Sequence, residues 1–159
     1  MSKSLKRVVV ALKEAGLEIT PLELGPETRT AQQAADAAGC TVDQIAKSVI
    51  LAGRRSGHAY LFVTAGGHQV DVEKASALVG EPLGKADAAL IRAQTGFAIG
   101  GVAPVGHLSE IRGFFDRRLL DFDVIYAAAG TPRHIFPIKP ALLLKISDAQ
   151  LSDFTTQQM

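Results

Sequence analysis

Apolar residues near the start of the chain recur at the spacing of an amphipathic helix. Leu5, Val8 and Leu12 lie three or four positions apart, and Gly16 follows them. Because a period of 3.6 residues places such positions on one face, residues 4–15 are predicted to form a helix that ends at the glycine.

The rest of the chain alternates short helical patterns with short strand patterns. Two apolar runs separated by a polar loop indicate a hairpin, and Thr30, Asp71 and Asp87 stand where helix caps are needed. In chain order we expect an extended segment at 17–24, a helix at 31–38 with a Thr30–Gln33 capping box and a stop at Gly39, a short helix at 42–46, strands at 48–52 and 59–65, helices at 72–79 and 88–94, a helical turn at 116–120, strands at 122–128 and 134–138, and a last helix from Pro140. This mixture predicts an α/β or mixed α+β fold, and no repeat or linker divides residues 1–159, which are expected to form a single domain.

Composition and charge narrow the class of protein. The 159 residues are 47% hydrophobic, which is enough for an ordinary core without disulfides or a structural metal. Seventeen Lys and Arg residues and sixteen Asp and Glu residues give a net charge of +1. This balance excludes a protein that binds along long stretches of phosphate backbone, so any contact with nucleic acid should be local. Apolar runs are far shorter than a membrane span, which predicts a cytoplasmic protein without a membrane partner.

Familiar catalytic motifs are missing from the sequence. It has no GxSxG elbow, Walker-type loop, HExxH pair or dinucleotide fingerprint, and histidines 58, 68, 107 and 134 form no short ligand motif. We therefore expect no metal and no cofactor. An enzyme with this sequence would act by positioning its substrate.

The segment from Gly100 to His107 has the least regular composition in the chain. It contains Gly100, Gly101, Pro104 and Gly106, so its backbone is expected to follow a specific, non-regular path. Such a loop can present N–H groups to a ligand carbonyl or phosphate. A tight connection after a strand explains the composition equally well.

Lys47 is the second unusual position. It stands between the predicted short helix and the strand that begins at Ser48, with apolar neighbours on both sides. A lysine there can be held inside a cleft, where its ammonium would meet an anionic or carbonyl group. The alternative is a side chain that extends to water.

Together these two features resemble a known family. The residues Ile45-Ala46-Lys47-Ser48 and the later Gly96 to His107 segment are similar to the lysine and the GGxxPxGH loop of the YbaK family. That family includes free-standing trans-editing deacylases and the insertion domain of bacterial prolyl-tRNA synthetases. The similarity spans about residues 25–145.

The resemblance implies a fold and a site. The fold would be a curved mixed sheet surrounded by helices, with the pocket at the sheet's open end. Lys47 would lie near the terminal adenosine of the tRNA, and the backbone of Gly100 and Gly101 would hold the aminoacyl carbonyl. The implied substrate-binding residues are Thr30, Ser48, Pro104, Gly106 and His107, the last of which either closes the loop or has a purely structural role.

The resemblance also implies hydrolysis of mischarged aminoacyl-tRNA in trans, with tRNA(Pro) carrying Cys or Ala as substrate. Water or a group of the substrate would attack the ester, since no protein nucleophile is evident. Partners would be the acceptor end of aminoacyl-tRNA and a prolyl-tRNA synthetase, and the oligomeric state is left open. Two alternatives remain: a non-catalytic module that binds tRNA or a synthetase, and a hydrolase of small esters.

Overall fold

Strands and helices alternate along the part of the chain that the structure describes. The computed structural model covers residues 2–26 and 28–156. Its helices are α1 (Lys3–Glu14), α2 (Ala31–Ala38), α3 (Val72–Val79), α4 (Ala88–Thr95) and α5 (Pro140–Ile146). Its strands are β1 (Leu22–Glu23), β2 (Ile45–Gly53), β3 (Ala59–Ala65), β4 (Leu83–Lys85), β5 (Arg112–Asp116), β6 (Ile125–Ala128), β7 (His134–Ile138) and β8 (Gln150–Ser152). This is the mixed α/β class expected from the sequence.

One sheet contains all eight of these strands. Its order is β1-β7-β6-β2-β3-β5-β8, and β4 pairs with β2 outside this path. The central hairpin β2–β3 is antiparallel, whereas β6 joins β2 and β5 joins β3 in parallel. Parallel neighbours need long crossover connections, which here carry α3, α4 and the loop after α4.

Local capping signals fix the helix ends where the sequence predicts them. At α2 the Thr30 hydroxyl accepts a hydrogen bond from the Gln33 amide, and the Gln33 side chain accepts one from the Thr30 amide, each at 3.1 Å. Gly39 ends the helix at a φ of 73°. That left-handed conformation favours glycine because it lacks a Cβ.

The start of the long hairpin differs from the prediction. The expected helix at 42–46 is a 3₁₀ helix, Val42–Gln44, and β2 begins directly at Ile45. Lys47 is therefore the third residue of a strand and does not stand before one. The shift matters because side chains of a strand point alternately to the two faces of the sheet.

Apolar packing covers both faces of the sheet. On one face α1 packs through Leu5, Val8 and Leu12 into the largest buried cluster. The opposite face holds a smaller cluster in which the rings of Phe62 and Phe114 stack at 5.1 Å between centroids. A third cluster joins α2 to β2, β6 and β7.

No helix within residues 2–26 and 28–156 combines the length and the apolar character that crossing a bilayer requires.

Candidate functional site

An interruption in strand pairing opens a cleft beside β2. On the side opposite β3, β6 pairs with β2 only at Ile45 and Ala46, and β4 takes over from Leu51. Among the described residues, the stretch 47–50 therefore has no strand partner on this side. The cleft lies at the beginning of this stretch, where β2 contributes Lys47 and Ser48.

Four segments enclose the cleft, which has a volume of about 480 Å³. They are the N-terminal part of β2, the segment that leads into α2, the loop after α4, and the β6–β7 hairpin. The volume lies within the range of pockets that hold one small molecule or one end of a larger ligand. Its lining residues with polar side-chain groups are Thr28, Arg29, Thr30, Lys47, Ser48, Tyr126, Thr131 and His134.

Lys47 supplies a positive charge to this cleft. Its Nζ donates a hydrogen bond to the Gly66 carbonyl oxygen at 3.2 Å, and the side chain is half-buried. Burial lowers the pKa of Lys47 from its ordinary value, and the carboxylates of Asp116 and Asp43 oppose this shift. An ammonium group has three donors, so the contact with Gly66 leaves others for a ligand.

Two carboxylates hold the turn that carries Gly66. Asp43 Oδ1 accepts a hydrogen bond from the Gly67 amide at 2.9 Å. Asp116, which is buried, accepts one from the Ala65 amide at 3.0 Å, and its Oδ2 lies 2.8 Å from Nδ1 of His68. The position of the Lys47 ammonium is thus fixed through the turn as well as through β2.

Ser48 carries a polar atom without a partner. Its Oγ is buried and makes no hydrogen bond within the described residues. Buried hydroxyl groups without a partner are uncommon because desolvation is costly. Since Ser48 lines the cleft, a ligand group that bonds this hydroxyl would remove that cost.

The loop after α4 brings backbone amides to the cleft. Gly100 and Val102 line it, and neither of their amides donates a hydrogen bond within the described residues. The Gly101 amide is already used, because it donates to the Ala98 carbonyl at 3.0 Å. Among the described residues of this loop that line the cleft, the unpaired amides are therefore those of Ile99, Gly100 and Val102, and the exposed Ile99 lies at its outer end.

Gly101 lies behind the cleft wall, against the β6–β7 hairpin. An ideal Cβ at this position would lie 2.7 Å from the carbonyl carbon of Thr131. Such contacts between backbone atoms are not relieved by a change of rotamer, so only glycine allows the two loops to pack this closely. Gly100 differs, because its φ of 89° favours glycine while the space around it is open.

His134 in the cleft was missed by the sequence reasoning. It begins β7 and lines the cleft, and its Nδ1 lies 2.6 Å from the Thr131 hydroxyl. A signal was present, because His134 follows a Gly-Thr-Pro turn between two predicted strands. The spacing of the histidines indicates only that they form no short metal motif, and it carries no information about contact with another ligand.

The predicted site residues divide into two groups. Four of them, Thr30, Lys47, Ser48 and Gly100, line the cleft together. The other four do not: Gly101 packs against Thr131, whereas Pro104, Gly106 and His107 border a separate depression beside α1. Their predicted contact with substrate stays a prediction.

His107 has structural contacts within its own loop. Its Nε2 lies 2.7 Å from the Ala103 carbonyl oxygen, and because that oxygen only accepts, Nε2 carries the hydrogen and donates. Burial lowers the pKa of His107, and the Arg7 charge lowers it further, while the bond to Ala103 opposes the shift. The ring also lies edge-on to Phe97, at 6.0 Å between centroids.

Comparison with known proteins identifies the family. The model of the aminoacyl-tRNA editing domain matches residues 25–146, and the chain therefore belongs to that family. Among solved structures, one described as a proposed trans-editing enzyme for prolyl-tRNA synthetase superposes with a TM-score of 0.92 at 42% identity, over 99% of each chain. The hypothetical protein APE2540 superposes with a TM-score of 0.85 at 27% identity, over 94% of this chain and 99% of that one.

A curated relative extends the similarity across most of the sequence. The uncharacterised protein YwhH of Bacillus subtilis (strain 168) is 28% identical over 144 residues, which are 91% of this chain and 91% of YwhH.

Proposed function

We propose that this protein hydrolyses the ester bond of mischarged aminoacyl-tRNA in trans, and that tRNA(Pro) carrying Cys or Ala is its substrate. The observation that carries the proposal is the meeting of Lys47, the Ser48 hydroxyl and the unpaired amides of Gly100 and Val102 in one cleft of an editing-domain chain. The name of the structural relative, which refers to prolyl-tRNA synthetase, supports the choice of tRNA(Pro).

The cleft suits the end of the tRNA and is too small for its body. A volume of about 480 Å³ fits an aminoacyl group with part of the terminal adenosine. Net charge is only +1, so contacts with phosphates elsewhere on the tRNA would be few. Recognition would then depend on the charged acceptor end or on a prolyl-tRNA synthetase that presents it.

Hydrolysis in this cleft would proceed by positioning and charge stabilisation. When water attacks the carbonyl carbon of the ester, the tRNA ribose hydroxyl leaves with one proton and the amino acid departs as a carboxylate. When a thiol of the substrate attacks instead, the ribose hydroxyl leaves in the same way and the first product is a cyclic thioester, which water then opens to the carboxylate. Amides of Gly100 and Val102 would donate to the oxyanion, and each such donor is worth about 10²–10³ in rate. Lys47 would hold the adenosine end and neutralise negative charge near the ester.

The remaining predicted residues would support this arrangement. We assign Ser48, Thr30 and His134 to contacts with the substrate, because each lines the cleft. Gly101 would keep the loop close to the β6–β7 hairpin. Pro104, Gly106 and His107 would shape the loop from the side of α1.

Substrate choice among small amino acids would rest on the fit of the apolar wall. One methylene group is worth about 1–3 kcal/mol of discrimination in an apolar pocket. Ile45, Ala46, Ala128 and Ile135 form much of this wall. Enlarging or filling it should therefore change which amino acid is removed.

The decisive experiment is a deacylation screen with purified protein against tRNA(Pro) charged with Ala, Cys, Ser or Pro. Each charged tRNA is also incubated alone and with the Lys47→Met variant, which corrects for spontaneous hydrolysis and for contaminating enzymes. Faster release of Ala or Cys than of Pro supports the proposal.

Two alternative functions give different results in the same screen. A non-catalytic module that binds tRNA or a synthetase would bind the charged tRNA without accelerating release of any amino acid. A small-ester hydrolase would cleave a minimal aminoacyl-adenosine ester and simple amino-acid esters as fast as the charged tRNA. Either pattern would refute trans-editing.

A further inference from the structure

Helix α1 lies outside the residues that the family model matches. The family match begins at residue 25, whereas α1 comprises Lys3–Glu14. Three of its side chains, those of Leu5, Val8 and Leu12, are buried in the largest apolar cluster. Beside this apolar face stands Arg7, a charged side chain that is half-buried.

Arg7 connects the two ends of the loop after α4. Its Nε donates to the Gly106 carbonyl oxygen at 2.8 Å, and its Nη2 donates to the Gly96 carbonyl oxygen at 2.7 Å. The guanidinium carbon lies 4.4 Å from the centroid of the Phe97 ring. One side chain therefore bridges two loop ends that are ten residues apart in sequence, and it adds to the backbone hydrogen bonds from the Leu108 and Ser109 amides to the Thr95 and Gln94 carbonyl oxygens.

α1 also supports the second loop of the cleft. At Gly130, in the β6–β7 hairpin, an ideal Cβ would lie 2.6 Å from the Ser4 carbonyl oxygen. The adjoining Thr131 contacts Gly101, as described above. Both loops that border the cleft at Gly100 and Thr131 thus rest on the same helix.

We propose that Arg7 is a positioning residue, which holds the loop 96–106 in the conformation that presents the amides of Gly100 and Val102 to the cleft. The proposal rests on the proposed function, because those amides are the donors assigned to the oxyanion. Arg7 is not among the residues that line the cleft, so it acts through the loop and not on the substrate.

The chemistry of the contact requires arginine. A guanidinium group is planar and presents several N–H donors in a fixed fork, so it bonds two carbonyl oxygens while stacking on a ring. Lysine carries one compact ammonium on a flexible stem, so it keeps the charge and can bond a carbonyl oxygen of the loop, but it reproduces neither the planar fork nor the stacking on the ring. The two hydrogen bonds are charge-assisted, and their loss would remove the side-chain link between Gly96 and Gly106 while the backbone bonds at the base of the loop remain.

The test compares Arg7→Met and Arg7→Lys with two control variants. Lys6→Met removes a neighbouring exposed charge on α1, and Leu12→Val weakens the apolar packing of the same helix while leaving both hydrogen bonds of Arg7 in place. Steady-state deacylation is measured at a temperature at which every variant is fully folded, with melting temperatures recorded in parallel.

We expect Arg7→Met to lower kcat by about 10²-fold, the loss typical of a small misplacement of catalytic groups. KM should stay near the parent value, because the oxyanion forms only in the transition state. Arg7→Lys should recover part of the loss, whereas both controls should keep the parent kcat even though Leu12→Val melts earlier. An Arg7→Met variant that is folded and keeps the parent kcat would overturn the proposal, as would an equal loss in Leu12→Val.

Amide hydrogen exchange separates this inference from the proposed function. In the Arg7→Met variant the amide hydrogen of Gly101 should exchange faster than in the parent protein, whereas the amide hydrogens of β3 should keep their protection. If the parent shows no deacylase activity, the proposed function fails, and the exchange result alone then decides whether Arg7 holds the loop. Unchanged exchange throughout residues 96–106 would refute that role.

Discussion

Replacing Lys47 by Met removes the charge of the cleft while keeping an unbranched side chain of similar length. Lys47 Nζ donates to the Gly66 carbonyl oxygen at 3.2 Å and supplies the positive charge assigned to the ester. A donor that stabilises developing charge is worth about 10²–10³ in rate. We therefore expect kcat/KM for mischarged tRNA to fall by about that factor.

Stability should change little, and this separates catalysis from folding. The variant loses one hydrogen bond, for which net contributions are about 0.5–1.5 kcal/mol, more when a charge takes part. It also removes the burial of an ammonium group, which is unfavourable because the charge loses hydration, and this burial lowers the pKa of Lys47. These effects oppose each other, so the net change should be within about 1 kcal/mol, or about 2–4 °C in Tm for a chain of this size.

The assay measures release of the amino acid from charged tRNA(Pro), with Tm determined on the same preparations. Lys145→Met is the matched control, because Lys145 is exposed on α5 and does not line the cleft. A folded Lys47→Met variant that hydrolyses mischarged tRNA at the parent rate would refute the assignment of Lys47.

Three further predictions follow from the geometry. In Gly100→Ala and Gly57→Ala the new alanine has a φ of 89° and 74°, respectively, and open space around it. Both variants should therefore lose about 1–2 kcal/mol of stability because of the left-handed backbone. Only Gly100→Ala should also lose deacylation activity. Because burial lowers the pKa of His107 below 6.5, the Tm of the parent should fall relative to that of His107→Gln as pH decreases below 6.5. Hydrogen bonds from Ser56, Tyr60 and Arg55 lower the pKa of Glu81 from 4.5 to about 2. The Tm of Glu81→Gln should therefore be lower than that of the parent by a full amount above pH 4.5, and this difference should vanish as the pH falls toward 2.

Each of these predictions has an outcome that contradicts it. Equal loss of activity in the two glycine variants would assign Gly100 only a structural role. A constant difference in Tm between the parent and His107→Gln across that pH range would show that protonation of the ring does not oppose folding. For Glu81, a deficit that persists near pH 2 would mean that the carboxylate charge is not what holds the 53–57 loop.

Features set by a few neighbouring residues were predictable from the sequence. The capping box at Thr30, the caps at Asp71 and Asp87 and the glycine stops lie where expected, because each depends on contacts within one helical turn. The hairpin β2–β3 was also recognised, since both strands are apolar and joined by a polar turn.

Features set by pairing between distant segments were not predictable in this way. β5 begins at an exposed arginine and contains a glycine, so its sequence gives a weak strand signal, and its place beside β3 depends on a parallel pairing across about fifty residues. The role of Arg7 escaped notice for the same reason. In sequence it is one charge on an amphipathic helix, and its partners lie 89 and 99 residues away.

The gap in strand pairing along β2 has a consequence for how the cleft selects its ligand. Along a strand, every second residue directs its N–H and its C=O to the same side. Some residues of the stretch 47–50 therefore direct these two groups away from β3. Among the described residues neither β6 nor β4 pairs with this stretch, so these groups need hydrogen-bond partners from whatever occupies the cleft. A ligand without matching donors and acceptors would leave them unsatisfied and lose affinity. The main chain of β2 would thereby discriminate against apolar compounds of the right size, independently of the side chains that contact the amino acid.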